Sequence, residues 1–507
     1  MNSCKISCDS RLRFALDFVR DSVSLIAWRF SKRCIMGTIA FVKIAQPSLS
    51  GVGGVDGGIT QPQHGSFEGG MPPSTQLVDP RDYRSFCFRG EGRANFVISA
   101  KNETTGLRIV WRFAKQRKSG LFTAKARSEV VNNYMNRLIA PFFSPQYLVA
   151  PRMVVFRIED VHHLGKIPSL PTNLKVENFE ELFQVPEKSS FFPLSSIPKN
   201  CTRISALEMI DATRIPKEIG TFFGPTITIE IKPKQGFYQK HAGFPLAHCN
   251  NCVLQIEKCS SDAFDTMYDF CPLDLYSGAI DRMRQSLEAL FKNPHRNLRV
   301  FVNGDVVHSD ERLLDWDQMT ETVFPDGGGT IYHLIDALCC CMAGQPSINE
   351  QNFSIANHSV IAQILAGQKV DTIGIAKAHS VYAKLPLNVQ LQLKERGALA
   401  KRTLNLLTET DDRALLEQYL LAATMKDCSI MASLRLVPAH AVDSASPEDT
   451  TIVTIRGVYF AVSLKVVDLD PKSAKNLVNA YERFKSGAIL LAKDSSLRRP
   501  CVQMQEE

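Results

Sequence analysis

Two lysines on either side of a proline form the pattern in this chain that says most about its chemistry. Lys232 and Lys234 flank Pro233 in the string EIKPKQGF, residues 230–237. The preceding residues alternate between apolar and polar, so we predict a strand over 226–232 that ends at the proline, which has no N–H to donate to a sheet. Two ammonium groups so close together are suited to binding phosphate. An exposed basic turn is the alternative interpretation.

An aspartate joins two apolar segments in the string MKDCSIM, residues 425–431. Asp427 lies there between a predicted helix over 414–423 and a predicted strand over 428–436. A carboxylate at such a junction can accept the proton of a hydroxyl group while that hydroxyl attacks phosphorus. Alternatively, Asp427 only caps backbone N–H groups of the turn.

Two further aspartates follow a long apolar run in the string VVDLD, residues 466–470. Asp468 and Asp470 are expected on one face of a strand, where their carboxylates would supply the hard oxygen ligands that Mg²⁺ prefers. In kinases such a carboxylate holds the metal that bridges the β- and γ-phosphates of ATP. A pair of exposed acids at a strand end is the alternative.

A glycine-containing loop, RGEGRAN at residues 89–95, lies between two predicted strands. Glycines let the backbone approach a phosphate closely, with N–H groups facing the anion. By itself the loop is explained better as a glycine hairpin, since it is neither a Walker A sequence nor a complete protein-kinase glycine loop. In the next predicted strand, IVWRFAK at residues 109–115, Arg112 and Lys115 could neutralise ATP phosphates or simply end a solvated strand.

A histidine and several cysteines raise the question of zinc. His248, Cys249 and Cys252 are followed by Cys259 and Cys271. The first pair of cysteines has the spacing of a zinc site, but the later pair has neither the CxxC nor the HxxxH form. Zinc binding by His248, Cys249 and Cys252 therefore stays open at the level of sequence.

The composition restricts the partners and the compartment. The net charge of +7 over 507 residues favours a polyanionic partner, but no nucleic-acid-binding module pattern is present. Fourteen cysteines, three of them adjacent at 339–341, indicate mostly free thiols in a reducing compartment. We expect a cytoplasmic and/or nuclear protein. Because no apolar run reaches the roughly 18 residues of a membrane helix, we expect neither stable membrane insertion nor a secretory signal.

The apolar periodicity predicts an α+β chain with two lobes. Strands are expected over 86–88, 95–100, 107–113, 153–158, 206–210, 226–232, 298–302, 428–436 and, as a hairpin, 453–469. Helices are expected over 130–138, 280–290 and 414–423, with a mainly helical segment over 307–406. We assign a smaller β-rich N-lobe that binds ATP to residues 81–225. A larger, mixed C-lobe that binds the substrate and carries out catalysis takes residues 226–507.

Residues 1–80 are expected to form a separate N-terminal extension. Residues 12–30 have the pattern of a basic amphipathic helix, and residues 48–74 are a Gly/Pro/Ser-rich linker. A targeting role is the alternative, although Asp9, Asp17 and Asp21 argue against a transit peptide.

Several strings, taken in order, resemble the inositol-pentakisphosphate 2-kinase family over about residues 86–481. They are RGEGRAN, IVWRFAK, EIKPKQGF, CPLDLYSG (271–278), RNLRVFVNG (296–304), MKDCSIM and VVDLD. The resemblance implies the bilobal inositol-phosphate kinase fold, ATP and Mg²⁺ as cofactors, and inositol pentakisphosphate as partner. The implied reaction phosphorylates inositol 1,3,4,5,6-pentakisphosphate at its 2-hydroxyl to give inositol hexakisphosphate. No nucleic acid would be required, and we expect a monomer.

The same resemblance implies roles for individual residues. Asp427 and Lys232 would be catalytic, and Asp468 would bind the metal. Nucleotide contacts are implied for Gly90, Glu91, Gly92, Asn95, Arg112, Glu208 and Asp211. Substrate contacts are implied for Arg117, Lys232, Lys234, Lys258, Asn297 and Lys472.

Four positions depart from the family pattern and leave the exact substrate open. Asn250, Leu254, Arg296 and Asn476 stand where the family commonly has Arg, His, Asn and, in plant members, Arg. The plant-type zinc motif of the second lobe is absent, since no cysteine occurs between 341 and 428. Two alternatives remain: a kinase for a less phosphorylated inositol phosphate, and a catalytically inactive scaffold that binds inositol phosphates.

Overall fold

The computed structural model describes residues 76–91, 95–114, 124–149, 151–157, 160, 203–215, 222–241, 243–261, 263–264, 266–267, 269–444 and 451–503. These residues form two six-stranded sheets and eleven α-helices. The α+β class expected from the sequence is therefore confirmed.

The first sheet is built by the strands nearest the N-terminus. They are β1 (Gln76–Leu77), β2 (Tyr83–Glu91), β3 (Asn95–Asn102), β4 (Arg108–Ala114), β5 (Arg152–Arg157) and β6 (Arg203–Ile210). Their order is β1-β5-β6-β4-β3-β2, and all neighbours are antiparallel except β1 and β5. Trp111 is fully buried on one face, with the rings of Tyr83 and Phe156 edge-on to it at centroid distances of 4.7 and 5.0 Å. This aromatic cluster stabilises the sheet through a large buried apolar area.

The second sheet carries the strings that the sequence marks as chemically active. Its strands are β7 (Phe223–Ile231), β8 (Leu298–Val302), β9 (Asp305–His308), β10 (Ser429–Val437), β11 (Thr451–Ile455) and β12 (Val458–Val467). They are antiparallel throughout, in the order β11-β12-β10-β7-β8-β9. β10 is buried along its whole length because it lies between β12 and β7 with both faces covered. Its side chains are small or apolar except that of Arg435, whose guanidinium donates to the carbonyl of Gly224 at 3.0 Å.

The helices form the largest hydrophobic cluster together with the second sheet, and the first of them also packs against β4, β5 and β6 of the first sheet. They are α1 (Ala124–Tyr134), α2 (Asn250–Ser260), α3 (Pro272–Leu275), α4 (Ile280–Lys292), α5 (Trp316–Val323), α6 (Ile331–Ala343), α7 (Val360–Gln368), α8 (Gly374–Lys384), α9 (Leu387–Leu393), α10 (Asp412–Met425) and α11 (Ala474–Lys493). Within the ranges given above, none of these helices has the length and apolar character needed to cross a bilayer.

Each predicted strand and helix overlaps an element of the structure, but β1, β9, α2, α3 and α11 were not predicted, and one predicted boundary is displaced. β1 was missed because a two-residue strand has no periodicity, yet Val78 beside it is buried in the first sheet's core. β7 begins at Phe223, so the expected lobe boundary after residue 225 falls inside a strand of the second sheet. We propose that the two lobes meet between β6 and β7. The predicted segments 12–30 and 48–74 lie outside the described residues.

Close contact between α2 and α11 depends on a glycine, and this generates a prediction for stability. A Cβ added at Gly487 would overlap the carbonyl oxygen of Val253 on α2 and lie 3.1 Å from its Cγ1. We expect Gly487→Ala to lower the free energy of unfolding by about 1–3 kcal/mol, as overpacked cores do. Helix propensity alone has the opposite sign, since alanine is favoured over glycine inside a helix by up to about 1 kcal/mol.

Urea unfolding measures this difference directly. The matched control is Ser486→Ala on the exposed face of the same helix, which should not lose stability. A Gly487→Ala protein at least as stable as the wild type would contradict the prediction, because α2 and α11 could then separate without cost.

Candidate active site

Three chain segments meet at one edge of the second sheet because its central strands are antiparallel. Ile231 at the end of β7 pairs with Ile430, and Val467 at the end of β12 pairs with Ser429 at the start of β10. The residues that follow β7 and β12 therefore lie beside those that precede β10. This brings EIKPKQGF, MKDCSIM and VVDLD together although they are far apart in the sequence.

Lys232 lies at the centre of this edge. Its ammonium group donates to Asp468 Oδ2 at 2.8 Å and to the backbone carbonyl of Asp427 at 3.3 Å. Its backbone N–H donates to the carbonyl of Asn297 at 2.8 Å, so the strand geometry extends to the residue before the proline. Burial would lower the pKa of Lys232, but nearby carboxylates, led by Asp468, raise it above its usual value. Lys232 is therefore a fixed positive charge at neutral pH.

Asp427 accepts hydrogen bonds from two lysines. Lys472 Nζ donates to Oδ2 at 2.5 Å, and Lys234 Nζ donates to Oδ1 at 3.1 Å. The Asp427 side chain is 47% exposed, so the carboxylate faces the open side of the site. Burial of the turn would raise the pKa of Asp427, but the surrounding lysines, led by Lys234, hold it well below its usual range. The carboxylate is ionised and its charge is shared between two cations.

A buried glutamine fixes the lysine loop relative to the Asp427 turn. Gln368 at the end of α7 donates through Nε2 to the carbonyls of Lys234 at 2.6 Å and Met425 at 3.2 Å. Its Oε1 accepts from the N–H of Gly236 at 2.8 Å. Met425 ends α10, and Asp427 follows two residues later. Sequence reasoning missed Gln368, because no feature of its neighbourhood in the chain indicates these contacts.

Two residues of the site have a left-handed backbone, with φ of 58° at Lys234 and 60° at Asp468. This conformation costs a residue other than glycine about 1–2 kcal/mol, and it persists only where surrounding contacts hold it. β12 ends at Val467, so Asp468 and Asp470 follow the strand instead of lying on its face. The prediction that they share a strand face is therefore wrong, since the turned backbone gives the two carboxylates different partners.

Asp470 connects the site to the first sheet. Its carboxylate accepts two hydrogen bonds from the guanidinium of Arg112 on β4, one of them at 2.6 Å. Arg112 is only 12% exposed. Burial would lower the pKa of Arg112, whereas the charge of Asp470 raises it above its usual value. The two sheets are thus joined by a bidentate ion pair, a geometry that only arginine provides.

Asp468 is the site residue whose chemistry suits a divalent cation. Its carboxylate is 44% exposed and accepts from Lys232 and, at 3.4 Å, from Ser429 Oγ. Among the described residues, the one convergent group of three or more potential ligand side chains is a set of four cysteines elsewhere. Mg²⁺ at Asp468 would therefore take its other ligands from phosphates and water, the usual arrangement for this ion in kinases.

A second basic group lies beside the site on α2. The Lys258 ammonium is 5.3 Å from the centroid of the Phe264 ring, and the Arg296 guanidinium is 5.6 Å from the same centroid. Burial, followed by the charges of Lys234, Arg483 and Arg296, lowers the pKa of Lys258 to about 7. Cations crowded in this way repel one another, so an anion bound among them would relieve the repulsion.

The remaining positions on the substrate side of the site differ in burial and in hydrogen bonding. Asn297 is buried just before β8. Asn476 caps α11 by accepting from the N–H of Ser473 at 3.0 Å, and Leu254 packs against the large hydrophobic cluster. Asn250 Oδ1 is buried and has no hydrogen-bond partner among the described residues. The last three positions contribute no positive charge.

The nucleotide-side candidates lie on the first sheet. Gly90 and Glu91 end β2 and Asn95 begins β3, so they flank a hairpin as predicted. Gly92 and Arg117, the other predicted ligands of this region, lie outside the described residues.

The two acids expected near the nucleotide base are engaged within the protein. Glu208 accepts from the indole of Trp111 at 3.0 Å and from Arg152. Asp211 accepts from Arg89 at 3.1 Å and from the N–H of Thr213 at 3.0 Å. A contact between this segment and a nucleotide would therefore use main-chain atoms. Sequence reasoning also missed Arg89, whose NH1 donates to the carbonyl of Gly304 in the second sheet at 2.7 Å.

Comparison with known proteins identifies this arrangement. Residues 88–485 match the family described as inositol-pentakisphosphate 2-kinase. The chain is 23% identical to the inositol-pentakisphosphate 2-kinase of Arabidopsis thaliana over 446 residues, covering 80% of this chain and 93% of that protein. It is 21% identical to the one of Danio rerio over 473 residues, covering 80% and 92%. Identity to the Drosophila melanogaster enzyme is 31%, but only over 133 residues, or 20% of this chain.

The family match extends from the end of β2 into α11 and includes all the site segments described above. Its description agrees with the resemblance carried by the sequence strings. The chain therefore belongs to the inositol-pentakisphosphate 2-kinase family.

Proposed function

We propose that this protein transfers the γ-phosphate of ATP to the 2-hydroxyl of inositol 1,3,4,5,6-pentakisphosphate, giving inositol hexakisphosphate. The observation that carries the proposal is the half-exposed Asp427 carboxylate, paired with two lysines beside the ion pair of Lys232 and Asp468. One sheet edge thereby combines a proton acceptor, cations for phosphate and a metal ligand. These are the parts that phosphoryl transfer requires.

A bound substrate would change the charge balance around Asp427. Lys234 and Lys472 neutralise this carboxylate in the structure. Substrate phosphates would attract the same ammonium groups through charge-assisted hydrogen bonds. Asp427 would then lose part of the interaction that lowers its pKa and become a better base. We infer that it orients the attacking hydroxyl and accepts its proton only once the substrate has drawn the lysines away.

On the nucleotide side, Arg112 and Lys232 would contact the phosphates of ATP, with the β2–β3 hairpin over them. Asp468 would hold Mg²⁺, which supplies positive charge to offset the β- and γ-phosphates. The main chain of residues 209–211 would contact the base, since β5 pairs with β6 only as far as Glu208 and the carboxylates of this segment are engaged elsewhere.

A kinase for a less phosphorylated inositol phosphate is the second candidate. Asn250, Leu254 and Lys258 follow one another at four-residue spacing on α2 and so share one of its faces. Of the three, only Lys258 is positively charged. Arg296 adds a second cation beside Lys258, but Asn250 and Leu254 add none, and this observation favours a ligand with fewer phosphates on that side.

One experiment tests both the proposed reaction and the proposed base, Asp427. Wild-type protein incubated with ATP, Mg²⁺ and a panel of inositol phosphates should convert inositol pentakisphosphate to hexakisphosphate, with products resolved by chromatography. Asp427→Asn should lower turnover by about 10²–10⁴-fold, the range for a lost general base. Calorimetry should show that the variant still binds inositol pentakisphosphate, because its lysines remain.

Asp326→Asn, an exposed acid outside the site, is the matched control and should behave as the wild type. Near-normal turnover of Asp427→Asn would show that Asp427 is not the general base. Faster conversion of a tetrakisphosphate would favour the second candidate. Tight binding of inositol phosphates without phosphoryl transfer to any of them would indicate a catalytically inactive scaffold.

A further prediction concerns the metal ligand. Asp468→Asn is the informative change, because asparagine tolerates a left-handed backbone and keeps the shape while removing the charge. We expect loss of Mg²⁺-dependent ATP binding and of transfer, with inositol phosphate binding kept. Titration calorimetry with ATP, with and without Mg²⁺, measures this. Equal Mg²⁺-dependent ATP affinity in Asp468→Asn and wild type would show that another residue binds the metal.

The lowered pKa of Lys258 predicts a pH dependence of substrate binding. The free ammonium loses its proton near pH 7, whereas a bound polyanion favours the charged form, so binding takes up a proton. Affinity for inositol pentakisphosphate should therefore fall as pH rises above 7, by at most about tenfold per unit.

Lys258→Arg is the matched control, because arginine stays charged and reports only the titration of the substrate's own phosphates. The ratio of wild-type to Lys258→Arg dissociation constants should rise between pH 6 and 9. Calorimetry in buffers of different ionisation enthalpy should detect a proton uptake by the wild type that exceeds the proton exchange of Lys258→Arg. A constant ratio across this range would show that Lys258 takes up no proton when the anion binds.

A further inference from the structure

A buried ion pair joins the turn that carries Asp427 to the interior of the protein. Lys426, the residue before Asp427, donates from Nζ to Asp371 Oδ2 at 2.6 Å. The Asp371 side chain is fully buried and that of Lys426 nearly so. Asp427, by contrast, is half-exposed and pairs with lysines of the site. The two adjacent side chains of the turn therefore have separate partners, one in the interior and the others in the site.

Asp371 is itself fixed by the start of α8. Its Oδ1 accepts from the N–H groups of Ile373 at 3.0 Å and Gly374 at 2.8 Å. N–H groups at a helix N-terminus have no partner within the helix, and they favour a carboxylate. Burial, followed by the charge of Lys426, lowers the pKa of His241 to about 4, so this nearby ring is neutral at pH 7 and adds no competing charge. The position of Lys426 is thus set by a carboxylate that cannot easily move.

The same short segment between α7 and α8 also holds the lysine loop of the site. Gln368, three residues before Asp371, donates to the backbone carbonyls of Lys234 and Met425. The backbone carbonyl of Asp371 accepts from Gln239 Nε2 at 3.2 Å. This segment therefore contacts both the lysine loop and the turn that carries the proposed base.

Stability alone does not account for a buried pair of this kind. Taking two charges out of water costs about as much as their attraction returns, so apolar residues of similar size are often equally stable in such a place. The Lys426 ammonium lies 5.3 Å from the centroid of the Phe237 ring and 5.7 Å from that of Tyr419, surroundings that also suit an apolar side chain. What the ion pair adds is direction, because its hydrogen bond holds the residue next to Asp427 at one distance and angle.

We propose that Lys426 and Asp371 are positioning residues that hold Asp427 where its carboxylate can accept the proton of the substrate hydroxyl. This role rests on the function proposed above. The turn is short, since α10 ends at Met425 and β10 begins at Ser429. Loss of the ion pair would let the turn rotate and displace the carboxylate, and a displacement of about 1 Å can lower turnover by about 10²-fold.

The test compares the neutral double variant Lys426→Met/Asp371→Asn with the wild type. Each single variant leaves one charge buried without its partner and should unfold at a lower urea concentration, whereas the double variant leaves neither charge. Asparagine can still accept from the N–H groups at the start of α8. We expect the double variant to regain most of the stability but to have kcat lowered about tenfold or more, with KM for ATP and for inositol pentakisphosphate within about threefold of the wild type.

A second ion pair of the same kind supplies the matched control. Arg284 Nε and Asp336 Oδ1 lie 2.7 Å apart between α4 and α6, and Arg284→Met/Asp336→Asn should keep the wild-type kcat. A further comparison adds the changes at Lys426 and Asp371 to Asp427→Asn. They should lower its residual turnover no further, because the pair acts through the carboxylate that is already missing. A Lys426→Met/Asp371→Asn protein that regains the wild-type kcat together with its stability would overturn the positioning role.

Another variant serves if the double variant does not fold. Asp371→Glu keeps both charges of the pair but lengthens one side chain by a methylene group. We expect it to lower kcat several-fold and to leave KM for ATP unchanged. A wild-type kcat in this variant would contradict the proposal.

Hydrogen exchange gives a readout that does not require kinase activity. The N–H of Asp427 donates to the carbonyl of Thr424 at 3.1 Å. Peptides that cover this turn should exchange about tenfold or more faster in the double variant than in the wild type, and at the wild-type rate in the control variant. Equal exchange in all three proteins would overturn the positioning role. Absence of phosphoryl transfer by the wild type would instead remove the proposed function, whatever the exchange rates.

Discussion

Charge balance at one edge of the second sheet is the constraint on which the site depends. Three lysines and three aspartates meet there and at its border with the first sheet: Lys232, Lys234, Lys472, Asp427, Asp468 and Asp470. An unpaired charge is unfavourable in a partly buried position, and every one of these groups has a partner of opposite sign. Arg112, from the other sheet, pairs with Asp470 and leaves the group with one more cation than carboxylates. A ligand that binds these cations must exchange the ion pairs within the protein for its own.

Local patterns were sufficient to predict the strands and helices that flank Asp427, although α2, α11 and β9 were missed. β10 was recognised as an apolar run and α10 as an apolar helix, and the strings between them marked Asp427. The order of strands across the sheets was not predictable from such patterns. Pairing between β7 and β10 joins segments about two hundred residues apart, and nothing within either strand specifies its neighbour.

The site was predictable to the extent that its residues stand in short, unusual strings. Lys232, Asp427 and Asp468 could be named in this way, and the antiparallel pairing explains why they meet. Gln368 and Arg89 could not, because each acts through contacts with residues remote in sequence. Gln368 is the last residue of α7, and the residues around it are ordinary for the end of a helix. The sulfurs of Cys249, Cys252, Cys271 and Cys501 converge, but the sequence predicted only part of this group, because Cys501 is more than two hundred residues from Cys249 and Cys252.

The left-handed backbone at Lys234 has a consequence for how this protein can change. Glycine at that position would relieve about 1 kcal/mol of backbone strain and would also remove an ammonium group from a half-buried place. Selection for thermal stability alone would therefore favour the loss of Lys234, a residue that we propose binds the substrate. Stability and activity are opposed at this residue, as they commonly are at functional sites. A laboratory evolution experiment that selects only for heat resistance would replace Lys234 and so remove a positive charge from this loop.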